Sequence, residues 1–189
     1  QTEQQNKQLT DQLQETQAQK SALMEAHKKA QQKIQELKEN SNLSGDVKVS
    51  RKGGNITFTI LSEVLFDSGE ATLKSRGKSA LSEAAKAIRD NFPNANLEIR
   101  GHTDNQPIRY SDWNSNWELS GARARRVLRY LMNDEGFDRK RMSFRGYADT
   151  RPVASNDSAS GRRKNRRAEI VVVPADKNVE YKRQTASSE

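Results

Sequence analysis

The sequence predicts an α+β protein: a mixed β-sheet covered on one face by helices, in the order β-α-β-α-β-β with an N-terminal hairpin, preceded by a long N-terminal helix. Three observations carry this. Apolar residues recur at heptad spacing through the first 40 residues and then stop. Beyond them, short runs of strict apolar/polar alternation, the mark of half-buried strands, occur at Asn55 to Ile60 and Leu97 to Gly101. Between such runs lie stretches whose apolar residues recur at a period of 3.6, which places them on one side of a helix.

Gln1 to Asn40 is the first element. Leu9, Thr16, Leu23, Ala30 and Leu37 fall seven apart, with Leu13, Lys20, His27 and Ile34 at the complementary core positions. Thr16, Lys20, His27 and Ala30 weaken that seam, so the pattern predicts a marginal coiled coil or solvated stalk, compatible with a homodimer. His27 reads as a tolerated heptad residue, because no His, Cys or paired carboxylate stands near it. Residues 41–46 are a helix-stopping linker; 47–174 form the globular domain and 175–189 a tail.

Val47 and Val49 alternate with polar residues and "KGGN" turns the chain back into Asn55 to Ile60, a β-hairpin whose second strand points Ile56, Phe58 and Ile60 to one face. Phe66 ends an apolar run, and Asp67, Ser68 and Gly69 make a turn. A helix over Ser75 to Asn91 carries Leu81, Ala84, Ala85 and Ile88 on one stripe and is stopped by "NFPN". Leu97 to Gly101 is a strand. A polar loop holding Trp113 and Trp117 follows, then a helix with Leu119, Ala122, Val127, Leu128 and Leu131 inward, for which Asn116 is the candidate cap. "RMSFRGY" reads as a third core strand, "SASGRRKNRR" as a basic loop or short helix and "AEIVVV" as a final buried strand.

Composition narrows the function. Hydrophobic content is 32%, low for a chain packed throughout, so part of it is expected to lie outside a core. There is no cysteine, which excludes a disulfide scaffold and a thiolate metal site and is compatible with an oxidising compartment. No run of 18 apolar residues occurs. The net charge is +8, concentrated late: 17 of the 33 Lys/Arg fall between Gly121 and Arg183, against 8 of the 25 acids. Such a surface suits an anionic partner or is simply a solvated face.

Two function classes compete with a binding module. "HTD" pairs His102 with Asp104, yet His102 is the only histidine outside the first helix, and no nucleophile elbow, P-loop or catalytic cysteine occurs. An enzyme reading survives only as an accessory domain of a wall hydrolase. "GRRKNRR" suits phosphates, but the aromatic residues are scattered among core positions instead of interleaving with it. The segment from Gly101 to Arg126 is the more informative one. It sets Asp104 just past a strand and Arg123 in the first turns of the next helix. On spacing alone these two residues either face a ligand or tie loop to helix.

Five ordered blocks, "LFDSGEATL", "IRGHTDNQPI", "NWELSGARARRV", "RMSFRGYADTRP" and "NRRAEIVV", resemble those of the OmpA-like peptidoglycan-binding domain over about Val47 to Pro174. The long loop "NQPIRYSDWNSNWELS" is similar to that of the MotB-type flagellar stator branch. The resemblance implies noncovalent binding of peptidoglycan through the diaminopimelate of its stem peptide. It implies neither cofactor nor metal, no chemistry and no nucleic acid. It matches Asp104 and Arg123 to the ligand-binding acid and arginine, with Phe66, Asp67, Ser68, Asn116 and Leu119 around them. Asn165, Arg166 and Arg167 match the NRR block, one of whose arginines faces the groove; we assign that place to Arg167. Backbone N–H groups of Ser68 to Glu70 are expected to face the ligand carboxylate, and Trp113 and Trp117 to pack the long loop before they touch sugar. The resemblance also implies a periplasmic, wall-associated protein, attached to the inner or outer membrane by a segment upstream of Gln1, either a lipid-modified cysteine or a membrane span.

Overall fold

The computed structural model describes residues 2–40, 43–52, 54–109 and 112–173. The chain divides into two compact units, 1–36 and 37–189. The first is helical throughout its described residues and belongs to α1 (Thr2–Asn40), which runs on into the second unit. Leu13, Thr16 and Lys20 are exposed in it and Ile34 is half-buried. The side chains of Leu9, Leu23, His27 and Ala30, and the whole tail from Pro174, lie outside the described residues. No helix among the described residues is long and apolar enough to cross a membrane.

The second unit begins with the last turn of α1. Leu37 is 1% exposed and joins the main core. Leu43 packs against the same core, and Arg76 grips Asp46 with two hydrogen bonds of 2.7 Å, so the described part of the 41–46 segment is held to the domain.

Five strands follow among the described residues: β1 (Val47–Lys52), β2 (Asn55–Leu61), β3 (Asn96–His102), β4 (Met142–Gly146) and β5 (Arg167–Val173). Between them lie α2 (Ser62–Leu65), α3 (Ser75–Asn91), α4 (Asn116–Asn133) and α5 (Ala159–Asn165). The sheet runs β1-β2-β5-β3-β4, antiparallel except for the β3–β4 pair, which α4 connects. This is the α+β arrangement expected, with the hairpin's second strand as the first β of the series. Phe58, Ile170 and Ile99 stand in register across three strands and are at most 1% exposed. Beneath them pack Leu81, Ala84, Ala85 and Ile88 of α3 and Val127 and Leu131 of α4, residues spaced for those helical stripes, whereas Ala122, expected inward, is half-buried and lies outside this core.

Two expectations need correcting. "RMSFRGY" is not a core strand: β4 is an edge, and Phe144 stays 44% exposed although it is in register with buried Ile99. The four-residue α2 was not expected, being too short for any periodicity. It matters, because its backbone forms a floor against which Gly77 of α3 packs: a Cβ on Gly77 would come within 2.7 Å of the Leu65 Cα.

Glycines also bring α4 down onto the sheet. A Cβ on Gly101 would run into the Ser120 carbonyl, and one on Gly146 would lie 2.6 Å from the Gly121 nitrogen. Ser120, fully buried by this contact, accepts a hydrogen bond from the Ala148 N–H at 3.0 Å. Ala148 holds φ at 46°, a left-handed geometry costly for a residue with a Cβ, and its carbonyl accepts from the Thr103 N–H at 2.9 Å. The start of α4, the exit of β4 and the turn after β3 are thereby fastened at one end of the sheet.

Candidate functional site

At that end lies a groove of about 780 Å³. Four segments distant in sequence supply its walls: 62–69 with Lys74, 103–109, the first turns of α4, and Arg166. Of the residues the sequence nominates, Phe66, Asp67, Ser68, Asp104, Asn116, Leu119 and Arg123 all line it.

The turn after Phe66 is built first by local chemistry. Glu70 N–H donates to Asp67 O at 3.1 Å, Gly69 takes φ of 72°, and Phe66 bridges to Leu73. The carbonyls of this turn are then clamped from outside. Arg123 donates through Nε to Glu70 O at 2.8 Å and through Nη2 to Asp67 O at 3.2 Å, while Trp113 Nε1 donates to Gly69 O at 3.0 Å. The Arg123 guanidinium also stands 5.1 Å over the Phe66 ring. Trp113 thus packs the loop, as expected; Trp117 is 56% exposed. The N–H groups of Ser68 and Gly69 find no hydrogen-bond acceptor among the described residues, whereas that of Glu70 is spent within the turn.

Arg123 is 6% exposed, and burial, with Arg166 adding to it and Asp104 opposing, pulls its guanidinium down to about 10. It remains cationic at neutral pH. Its Nη1 has no protein partner among the described residues. Asp104, also 6% exposed, receives the Gln106 N–H at 3.1 Å and an ion pair from Arg166 Nη1 at 2.5 Å. Asp104 and Arg123 do not bond to each other. They stand on the walls of one groove as opposite charges that other groups hold in place.

The groove arginine is Arg166, not Arg167, and the assignment from the NRR block is corrected on this point. The backbone is extended at Arg166, so consecutive side chains leave on opposite sides. Arg166 meets Asp104; Arg167, 2% exposed, turns away to Glu169 at 2.8 Å, Asn165 O and Arg151 O. "HTD" is divided as well. Asp104 enters the groove, while His102 stacks on Tyr147 with ring centroids 5.3 Å apart and lies 3.6 Å from Glu169.

Asn116 is not the helix cap. Ser115 accepts from the Glu118 N–H, and Glu118 in turn accepts from the Asn114 N–H at 3.0 Å, a pairing advertised by Ser115 and Glu118 three apart. Asn116 instead donates to Gln106 O at 2.9 Å and Asp104 O at 3.4 Å, pinning the loop to α4. Sequence reasoning also passed over Thr103, whose buried hydroxyl lines the groove with no hydrogen-bond partner among the described residues. Its place between His102 and Asp104 was the available signal.

Four of the five cations of the basic run are engaged within the protein. Arg162 donates to Asn156 O, Arg163 pairs with Glu63, Arg166 with Asp104 and Arg167 with Glu169.

A profile of the OmpA family matches residues 65–166, more than half of the chain. Motility protein B of Bacillus subtilis (strain 168) is 34% identical over 155 residues, 82% of this chain and 59% of that protein. The probable lipoprotein YiaD of Escherichia coli (strain K12) is 34% identical over 142 residues, 75% of this chain and 62% of that protein. The chain therefore spans about six tenths of the length of these curated relatives. Among solved structures, the cell wall anchor of the T6SS from Pseudomonas aeruginosa superposes with a TM-score of 0.66 at 34% identity, covering 75% of this chain and 96% of that one. A MotB-like protein from Desulfovibrio vulgaris gives 0.70 at 27% identity, covering 81% and 94%. The matched segment runs from the floor of the groove to its last arginine, and the solved relatives share its sheet and helices: the chain belongs to the OmpA family.

Proposed function

We propose that this chain is a binding module for peptidoglycan. It grips the diaminopimelate of the stem peptide noncovalently and anchors the protein that carries it to the wall in the periplasm, making and breaking no bond. One observation carries the reading: Asp104 and Arg123 present opposite charges, each with unspent hydrogen-bonding capacity, on the walls of a single groove.

The outer carbon of diaminopimelate bears a free ammonium and a free carboxylate. The ammonium suits Asp104, whose carboxylate can accept beyond the Gln106 and Arg166 donors. The carboxylate suits Arg123 Nη1 with the N–H groups of Ser68 and Gly69, and the Thr103 hydroxyl supplies a further donor. Leu119 and Phe66 give the apolar wall for the ligand's methylenes. The P. aeruginosa relative is described as a cell wall anchor, and the same role suits this chain. Attachment to the inner or outer membrane would come from sequence outside this segment.

The test is co-sedimentation with purified sacculi. Diaminopimelate-type wall should carry the protein into the pellet, free diaminopimelate should reduce that fraction, and lysine-type wall, which lacks the outer carboxylate, should carry less. Equal recovery with and without sacculi would remove the reading.

A further inference from the structure

The groove does not end at the Asp67–Glu70 turn. A second one, about 400 Å³, shares Ser68 and Gly69 with it and is lined beyond them by Trp113, Arg125, Arg126 and Arg129. Ala122, Arg125, Arg126 and Arg129 occupy positions i, i+3, i+4 and i+7 of α4, a single stripe. Arg123 precedes Arg126 by three residues, so the arginine of the first groove and the stripe of the second are neighbours on one helix. Arg126 is tied by Nε to Ala71 O at 3.3 Å. Arg125 and Arg129 are exposed and make no hydrogen bond or ion pair among the described residues. The acids lining this groove are Glu70 and Asp112, two carboxylates against three guanidiniums.

Resting on the reading of the first groove, we infer that the second binds a further free carboxylate of the same stem peptide. A peptide held by its diaminopimelate must leave the first groove, and the second groove adjoins it at Ser68 and Gly69. Two carboxylates flank diaminopimelate in such a peptide: the free α-carboxylate of the γ-linked glutamate before it and the terminal carboxylate of an alanine after it. Guanidiniums without a protein carboxylate are the groups that hold such an anion with charge-assisted hydrogen bonds. The arginine stripe therefore makes the module a reader of peptide charge as well as of diaminopimelate, and amidation of that carboxylate would weaken its grip.

Titration calorimetry separates the parts. The ligands are free diaminopimelate, γ-glutamyl-diaminopimelate as α-acid and as α-amide, and the alanine-extended peptide as acid and as C-terminal amide. For the wild-type protein one acid should bind about tenfold more tightly than its amide, and the pair that shows the gap identifies the carboxylate. In Arg125→Gln/Arg129→Gln that gap should shrink to about twofold or less, with the affinity for free diaminopimelate unchanged. An equal gap in the double variant, or no gap in either pair while free diaminopimelate binds, overturns the inference. No binding of free diaminopimelate to the wild type is a different result: it overturns the reading of the first groove, and this inference with it.

Discussion

Two clusters of charge in this domain use the same residue types to opposite ends, and they meet at adjacent arginines. Around Arg167 the ion pairs are closed, although both ring nitrogens of the neighbouring His102 lack a hydrogen-bond partner among the described residues. Its three guanidinium nitrogens each have an acceptor in Glu169, Asn165 O or Arg151 O, and Lys52 adds a second cation to Glu169 at 3.1 Å. Around Asp104 the cluster is open. Arg123 spends two of three nitrogens, Arg166 pairs through one, and Thr103 keeps an unused hydroxyl. Burial is similar in both, since Arg167, Glu169, Asp104 and Arg123 are all at most 6% exposed. What separates the charged groups of the two clusters is therefore unspent valence, not depth.

The sharpest way to break this comparison is Glu169→Ala. It strands Arg167 in the interior and should lower stability by about 3–5 kcal/mol in chemical denaturation, while protein that remains folded still sediments with sacculi. Loss of binding without loss of stability would mean that the closed cluster also serves the ligand. Asp104→Ala should do the reverse, weakening wall binding by roughly 2–5 kcal/mol at a stability cost of about 1 kcal/mol. Arg123→Ala should match it in binding and lose more stability, because two carbonyls of the 67–70 turn lose their donor. Pull-down of both variants, with folding checked by circular dichroism, decides: folded variants that bind undiminished make the groove charges mere scaffold. Arg166→Ala should cost about 1 kcal/mol or less in stability, since its side chain is 38% exposed and its ion pair partly screened.

Mild acid should have the smallest effect, and its sign is set by the closed cluster. Burial holds His102 below its usual 6.5, against the pull of Glu169. Burial also pushes Glu169 upward, but His102 and Arg167 beside it outweigh this and keep it well below the usual 4.5. Both folded values lie below the unfolded ones, so the folded protein binds fewer protons and its stability is lost as pH falls. His102 contributes first, below about 6.5, and Glu169 only below about 4.5. Melting midpoints between pH 7 and 5 should decline gently in the wild type and less in His102→Asn.

The parts legible in the sequence were those with a repeating signal. The stripe of Leu81, Ala84, Ala85 and Ile88 placed α3 within Ser75 to Asn91, where it lies. The alternation about Leu97 and Ile99 placed β3. Asp104 stood just past a strand and Arg123 on the next helix, and it was the resemblance of the five blocks, not their spacing, that nominated the pair. Arg166 and Arg167 could not be told apart in this way. They sit where α5 gives over to β5, and the phase of alternation depends on backbone angles at the junction. The exposure of Phe144 was hidden for a related reason, since alternation reports a face and not whether the strand is central or at an edge.

The strand order bears on how the protein is made. Among the described residues β5 is the last strand to emerge in synthesis, yet it lies in the middle of the sheet, with β1 and β2 on one side and β3 and β4 on the other. Until residues through Val173 are available, the hairpin and the β3–α4–β4 unit have no strand in common, and pairings such as Leu61 with Arg167 close loops of more than a hundred residues. Arg166, immediately before β5, reaches Asp104 only when that strand docks. The groove is thus complete only once β5 has docked, and a nascent chain short of it lacks the arginine that pairs with Asp104.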